Sequence, residues 1–186
     1  ICVRLVGSEM CIRDSNDMAY AGLERAIAEL GVDGIDLEPN EGGNRPELLS
    51  LLADQGKDLS IGVGFLFADA MTEVATANPD TNFGIIDSAV DPANVSGMVF
   101  AEEQGSYLVG VAAGLKTTTN KIGFIGGVEF PLIQKFEAGF VAGVAAACPS
   151  CTVDVKYVTY PPDFGGFNDA AKAKEIALAQ YEEGAD

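Results

Sequence analysis

Residues 121–158 read KIGFIGGVEFPLIQKFEAGFVAGVAAACPSCTVDVKYV. The run opens with an apolar segment at residues 121–125 and closes with another at residues 152–158, both of strand length. Between them, residues 131–147 have the apolar spacing of a helix, and proline at position 131 suits a first helical turn. A strand, a helix and a second strand in this order predict a parallel βαβ unit with a right-handed crossover.

The same alternation continues on both sides of this unit. We expect further strands at residues 33–37, 59–63, 82–86 and 96–100, and helices at residues 16–30, 69–77, 102–115 and 169–183, with another helix after Asn44. Such alternation predicts an α/β fold of doubly wound parallel sheets. A polar run at residues 117–120 predicts a boundary between two lobes, at residues 16–117 and 118–186. Because both ends look incomplete, we interpret the sequence as a fragment.

Residues 1–15, ICVRLVGSEMCIRDS, differ in character from the rest of the chain. They have no helical or strand period beyond residues 1–6, and they resemble translated adapter sequence, most of all in MCIRDS. We therefore expect a non-native segment that packs poorly or serves only as a substitute edge strand, so that deleting it changes stability little. Cys2 and Cys11 are assigned no function. The alternative is a genuine edge strand at residues 1–6, followed by a loop.

Composition excludes several classes of function. Among 186 residues, 11 Lys and Arg stand against 28 Asp and Glu, which gives a net charge of −17. This charge repels nucleic acid and anionic membrane surfaces. The absence of His excludes Ser-His-Asp and Cys-His catalysis and His-ligated zinc or haem. No apolar stretch reaches the roughly 20 residues of a membrane helix, no signal peptide is recognisable, and no metal or cofactor is expected.

Glycine and cysteine pairs follow predicted elements. Two glycine pairs follow predicted strands: Gly62 with Gly64, and the pair at residues 126–127. Neither pair completes a phosphate-binding fingerprint. They indicate tight turns, or alternatively a crevice in which backbone binds a small ligand. Cys148 and Cys151 flank a Pro-Ser turn, which suits either a surface disulfide or two free thiols. A redox motif is disfavoured because the pair follows a helix rather than opening one.

Carboxylates and aromatic rings at strand ends are the candidate ligand contacts. Asp69 and Asp87 follow strands, where ligands bind in open α/β sheets, although a helix cap and a turn residue are the alternatives. Phe65 and Phe67 also follow a strand. Phe167, in the loop YPPDFGGFND, would either pack onto the next helix or stack on a flat ligand.

Five stretches, which are distributed over the whole of residues 16–186, resemble the basic membrane protein family, the PnrA-like substrate-binding lipoproteins of bacterial ABC importers. They are NDMAYAGLERAIAELG, IGVGFLFADAMTEVATANPDTNFGIIDSAVD, NVSGMVFAEEQGSYLVGVAAGLKT, KIGFIGGVEFPLIQKFEAGFVAGV and FNDAAKAKEIALAQYEEGAD. The resemblance implies a type I periplasmic-binding-protein fold, in which two α/β lobes close on a ligand, commonly a purine nucleoside. It also implies an exported, lipid-anchored protein that delivers this ligand to a membrane permease, without a cofactor.

The resemblance assigns roles to three residues. Asn16 matches the base-contacting Asn of a family S-F-N motif, whose Ser-Phe is replaced here. Asp87 matches a base-contacting acid, and Phe167 matches a stacking ring. Phe65, Phe67 and Asp69 are further candidates for the lining. The family's ribose-binding Asp and Lys, a glycine-rich loop, its first strand and its lipid-attachment Cys are expected outside this sequence, which therefore contains half a site.

Two other classes of function stay open at this point. One is an enzyme on a related doubly wound fold, processing a nucleoside or sugar phosphate with Asp69 and Asp87. The other is a sugar-binding or regulatory relative of the same fold. A regulator would need a basic helix-turn-helix module, which the sequence does not contain.

Overall fold

The chain divides into two compact units. The computed structural model describes residues 2–7, 13–40 and 43–186, with side chains for residues 16–40 and 43–186. The units are Ile1–Phe100 and Ala101–Asp186. The division thus falls before the helix at Glu102–Lys116 and not in the polar run at residues 117–120. The reason is that this helix packs closely on the next one along the chain.

The first unit is a five-stranded parallel sheet with helices between its strands. The strands are β1 (Cys2–Gly7), β2 (Asp33–Leu37), β3 (Leu59–Val63), β4 (Asn82–Ile86) and β5 (Val95–Met98). The helices are α1 (Arg13–Leu30), α2 (Arg45–Asp54) and α3 (Ala68–Ala77), and a 3-10 turn at Phe65–Phe67 precedes α3. The strand order is β2-β1-β3-β4-β5, and every neighbouring pair is parallel. The predicted parallel α/β architecture is confirmed.

Strand β1 occupies an inner position in this sheet. Its backbone pairs with β2 on one side and with β3 on the other. The expected edge position for residues 1–6 is therefore wrong. Strand β1 occupies the place of the first strand of the sheet, which we expected to be missing. An empty slot between β2 and β3 would leave two inner strand edges without hydrogen-bond partners, which is costly in a buried sheet. The side chains of residues 1–15 lie outside the described residues, so their non-native origin and poor packing stay predictions.

The core of the first unit lies between its sheet and helices α2 and α3. It consists of nine buried residues: Leu49, Leu52, Phe67, Ala70, Met71, Val74, Ala75, Phe83 and Ile85. Helix α1 begins at Arg13, earlier than expected, because no Gly or Pro lies directly before Asn16 to stop the helix. Asn16 therefore lies inside the helix rather than capping it.

The second unit is a two-stranded parallel sheet with three helices. Strands β6 (Lys121–Val128) and β7 (Thr152–Thr159) are joined by α5 (Pro131–Ala147), which confirms the predicted βαβ unit. Helix α4 (Glu102–Lys116) precedes β6, and α6 (Ala170–Glu182) follows a 3-10 turn at Gly165–Phe167.

Helices α4 and α5 pack with their backbones in close approach. A Cβ atom on Gly139 would lie 2.1 Å from the Glu103 carbonyl oxygen, and one on Gly110 would lie 2.1 Å from the Phe140 carbonyl oxygen. Only glycine permits this spacing. The contact explains why α4 belongs to the second unit.

Gly126 and Gly127 lie within strand β6, so the expectation that they turn the chain is wrong. Each glycine makes room for an aromatic ring. A Cβ on Gly126 would lie 2.4 Å from Cε1 of Tyr157, and one on Gly127 would lie 2.7 Å from Cδ1 of Phe167.

Candidate ligand-binding site

Asn16 and Asp87 lie at one corner of the first unit. Ala19 of α1 packs against the small buried cluster that contains Val63, and Ile86, the last residue of β4, packs against the same cluster. Asn16 is one helical turn before Ala19 and shares its helix face. Asp87 follows Ile86 directly. Both candidates are half-buried at the carboxyl edge of the sheet, where α/β folds bind their ligands.

The backbone at Asp87 adopts an unusual conformation. Its φ angle is 65°, in the left-handed region that few residues other than glycine enter. The Asp87 N–H donates to the Met98 carbonyl oxygen at 2.9 Å, which fixes this conformation against the end of β5. Gly64, at the end of the neighbouring strand β3, has a φ of 106° and donates its N–H to the Ile86 carbonyl oxygen at 3.2 Å. The turn predicted at Gly64 is present, and it adjoins Asp87.

The remaining first-unit candidates separate into different environments. Phe67 is 0% exposed in the core, beneath the Arg45 guanidinium at 5.5 Å from its ring centroid, so it cannot line a ligand site. Phe65 is half-buried in the turn after Gly64. Asp69 lies in the first turn of α3, where its charge suits the positive helix end without capping it.

Phe167 belongs to the second unit, at the carboxyl ends of β6 and β7. Its ring contacts the backbone of Gly127, and the side chain is half-buried. Helix α6 begins shortly afterwards, capped by the Asp169 carboxylate, which accepts the Lys172 N–H at 2.9 Å. Gly127 borders one side of the ring, and both expected roles, packing onto the next helix and stacking on a flat ligand, stay predictions.

A disulfide joins Cys148 and Cys151, with their Cα atoms 5.3 Å apart. It closes the turn between α5 and β7, away from the carboxyl ends of the strands. Oxidation of this pair in the cell stays a prediction, which thiol counting on exported material without reductant would test.

A hydrogen bond joins Tyr157 of β7 to Glu137 of α5 in the second unit. The Tyr157 hydroxyl donates to the Glu137 carboxylate at 2.5 Å. Burial, followed by this hydrogen bond and the charge of Glu137, raises the pKa of Tyr157 well above its ordinary value. Among residues 16–40 and 43–186 no cluster of three or more Cys, Asp or Glu could hold a metal ion. Within the described residues, no helix is long and apolar enough to cross a membrane.

Comparison with known proteins identifies the family. Residues 12–186 match the family model described as ABC transporter substrate-binding protein PnrA-like. The chain belongs to this family. Because PnrA-like proteins are substrate-binding proteins and not enzymes, the chain is not an enzyme, and the alternative of a nucleoside- or sugar-phosphate-processing enzyme loses its support.

Individual relatives agree with the PnrA-like assignment. A CD4+ T-cell-stimulating antigen of Listeria monocytogenes is 38% identical over 180 residues, covering 94% of this chain and 49% of that protein. The ABC transporter nucleoside-binding protein BmpA of Lactococcus lactis is 45% identical over 133 residues, covering 71% of this chain and 36% of that protein. The chain thus spans about half the length, or less, of these curated relatives.

A solved structure confirms the predicted fold. The structure of ABC transporter system solute-binding proteins from Aeropyrum pernix has a TM-score of 0.79 at 25% identity. The match covers 100% of this chain and 53% of the Aeropyrum pernix chain. The two α/β units therefore have the architecture of a periplasmic solute-binding protein.

Sequence reasoning missed the residues that hold Phe167 in place. Thr159 and Gly127 contact the Phe167 turn in three dimensions, although they are distant from it in any local motif. The one available signal was a Gly-Gly pair inside an apolar strand, since glycine in a strand often marks close approach of another group.

Proposed function

We propose that this chain is the part of an ABC transporter substrate-binding protein that binds the base of a purine nucleoside. The observation that carries the proposal is the family match over residues 12–186. It is supported by BmpA of Lactococcus lactis, a nucleoside-binding protein that is 45% identical over 133 residues. The chain also supplies the two groups that a purine needs, a half-buried carboxylate and an aromatic ring at strand ends.

In this proposal Asn16, Asp87 and Phe167 each contact the same nucleoside. The Asp87 carboxylate accepts hydrogen bonds from N–H groups on the edge of the base, and the Asn16 amide can both donate and accept there. The Phe167 ring stacks on the face of the base, and Phe65 lines the pocket beside Asp87.

The cellular role follows from the same proposal. The protein is exported and held at the cell membrane by a lipid anchor, binds the nucleoside reversibly and passes it to the permease of its importer. The net charge of −17 favours neither nucleic acid nor an anionic membrane as a direct partner.

Calorimetric titration of the product of the complete gene tests this function. We expect saturable binding of inosine, guanosine and adenosine, and no binding of free ribose or arabinose. Chromatography after incubation should recover each nucleoside intact. Binding of free sugars without nucleosides would favour a sugar-binding relative, and release of free base would overturn the non-enzymatic assignment.

A further inference from the structure

One buried hydroxyl organises the loop that carries Phe167. The Thr159 hydroxyl accepts a hydrogen bond from the Gly166 N–H at 3.1 Å and donates one to the Asp163 carbonyl oxygen at 2.7 Å. Thr159 is only 8% exposed, so water cannot readily replace either bond. Thr159, the last residue of β7, thereby holds the loop at Asp163 and at Gly166, directly before Phe167.

The loop is also fitted to the backbone of β6. A Cβ on Gly166 would lie 2.0 Å from the Gly127 carbonyl oxygen. A Cβ on Gly127 would lie 2.7 Å from Cδ1 and 2.9 Å from Cε1 of Phe167. Two glycines therefore bring the turn and its ring into direct contact with the strand, which leaves the ring little freedom on that side.

A ring whose orientation is fixed in advance loses less conformational entropy when a ligand stacks on it. We propose that Thr159 and Gly127 are positioning residues, which fix the Phe167 ring in its stacking orientation before the ligand binds. The inference rests on the proposed function, because it takes Phe167 as the ring that stacks on the nucleoside base.

The chain contains no tryptophan, so Phe167→Trp introduces a single fluorescent reporter at the ring position. Time-resolved anisotropy of this variant measures how freely the ring moves in the 186-residue chain. We expect a rigid reporter in the Phe167→Trp parent and with Thr159→Ser, which keeps the hydroxyl. With Thr159→Val, which keeps the shape and removes both hydrogen bonds, a fast component of ring motion should appear.

Binding is measured separately, on the product of the complete gene with Phe167 intact. We expect Thr159→Val, which loses both hydrogen bonds of the loop but no contact with the ligand, to weaken inosine binding about threefold to tenfold. Thr159→Ser should stay within about twofold of the parent. Gly127→Ala should weaken binding further, because its Cβ displaces the ring. Thr152→Val, at the exposed start of β7, and Gly105→Ala, with open space around its Cβ, are matched controls that should bind as the parent does.

Two results would overturn the positioning role. One is unchanged anisotropy with Thr159→Val, whatever happens to affinity, because the ring is then held without the hydroxyl. The other is unchanged affinity of Thr159→Val alongside a mobile ring, because stacking then does not depend on the orientation. If the parent binds no nucleoside, the proposed function fails, whereas the anisotropy comparison still decides whether the hydroxyl holds the ring.

Discussion

Asp87 combines three structural properties. It is half-buried, it directly follows the last residue of β4 at the carboxyl edge of the sheet, and its φ angle of 65° lies in the left-handed region. Such a conformation in a residue other than glycine costs of the order of 1 kcal/mol and persists where the surroundings fix it. The hydrogen bond to Met98 does so here. Strain of this kind is common at binding sites, which supports a ligand contact rather than a simple turn.

Replacement of Asp87 by Asn separates charge from conformation. Asn tolerates the left-handed region as Asp does, so stability should hold while the charge-assisted hydrogen bond to the base is lost. We expect nucleoside affinity to fall by roughly 1.5–3 kcal/mol in calorimetric titration. Asp69→Asn, at a carboxylate in the first turn of α3, is the control and should bind normally. Equal affinity of Asp87→Asn and the parent would show that this carboxylate does not contact the ligand.

The Phe167 ring is tested by its removal. Stacking of a base on an aromatic side chain contributes about 1–3 kcal/mol, and Phe167→Ala should weaken nucleoside binding by that amount. Calorimetry with inosine and guanosine provides the measurement. Tyr181→Ala removes an exposed ring from α6 of the same unit and should leave affinity unchanged. The stacking assignment fails if the two variants bind alike.

Local sequence could identify these candidates but could not choose among neighbours. Phe65 and Phe67 stand two positions apart after β3, and the sequence does not say which ring enters the core. The 3-10 turn decides it by burying Phe67 completely and leaving Phe65 half-buried. The role of Thr159 depends on a contact with Gly166 across a loop, which no spacing rule predicts.

At the scale of elements, the apolar periodicity predicted the strands and helices of residues 16–186 closely. Strand β6 is the main exception, since it continues through the glycines at residues 126–127 where a turn was expected. Glycine is ambiguous in sequence, because it serves both a turn and a close contact. The unit boundary was misplaced for a related reason: the glycines that join α4 to α5 act only in three dimensions.

The α4–α5 contact gives a prediction about stability. Gly139→Ala would place a Cβ 2.1 Å from the Glu103 carbonyl oxygen, so the two helices must separate. We expect the free energy of unfolding to fall by about 1–3 kcal/mol, the usual cost of overpacking. Gly105→Ala, with no atom within 4 Å of its Cβ, should instead be neutral or raise stability by up to about 1 kcal/mol. Urea denaturation of both variants makes the comparison, and equal midpoints would contradict the close packing.

Tyr157 should make the stability of the protein fall at alkaline pH. Its pKa is raised in the folded state by burial and by Glu137, so folding favours the protonated phenol. This contribution to stability is complete below the ordinary tyrosine pKa of about 10 and is lost as pH rises toward the higher folded value. The free energy of unfolding, measured in urea between about pH 8 and pH 11, should therefore fall more steeply for the parent than for Tyr157→Phe. Parallel pH profiles would contradict the raised pKa.

For the whole molecule, net charge is the dominant electrostatic property. The 28 acidic side chains outnumber the 11 basic ones, and residues 16–40 and 43–186 contain four ion pairs, at Arg25–Glu29, Lys121–Glu183, Lys135–Glu102 and Lys156–Asp154. Arg25–Glu29 is an exposed pair of the kind that contributes about 0–1 kcal/mol, whereas the acidic side chains of the Lys135–Glu102 and Lys156–Asp154 pairs are largely buried. Repulsion among the remaining carboxylates opposes the compact state, because folding brings them closer together.

Salt should therefore stabilise this protein. Raising NaCl from about 0.02 M to 0.5 M shortens the screening length to a few ångströms, which weakens repulsion between carboxylates more than it weakens the few close ion pairs. We expect the melting temperature to rise with NaCl in a calorimetric scan at pH 7. A triple variant, Glu73→Gln, Glu175→Gln and Glu182→Gln, removes three exposed negative charges and should start from a higher melting temperature with a weaker salt response. A melting temperature that falls with salt in the parent would mean that the ion pairs, and not the excess of carboxylates, decide its electrostatic stability.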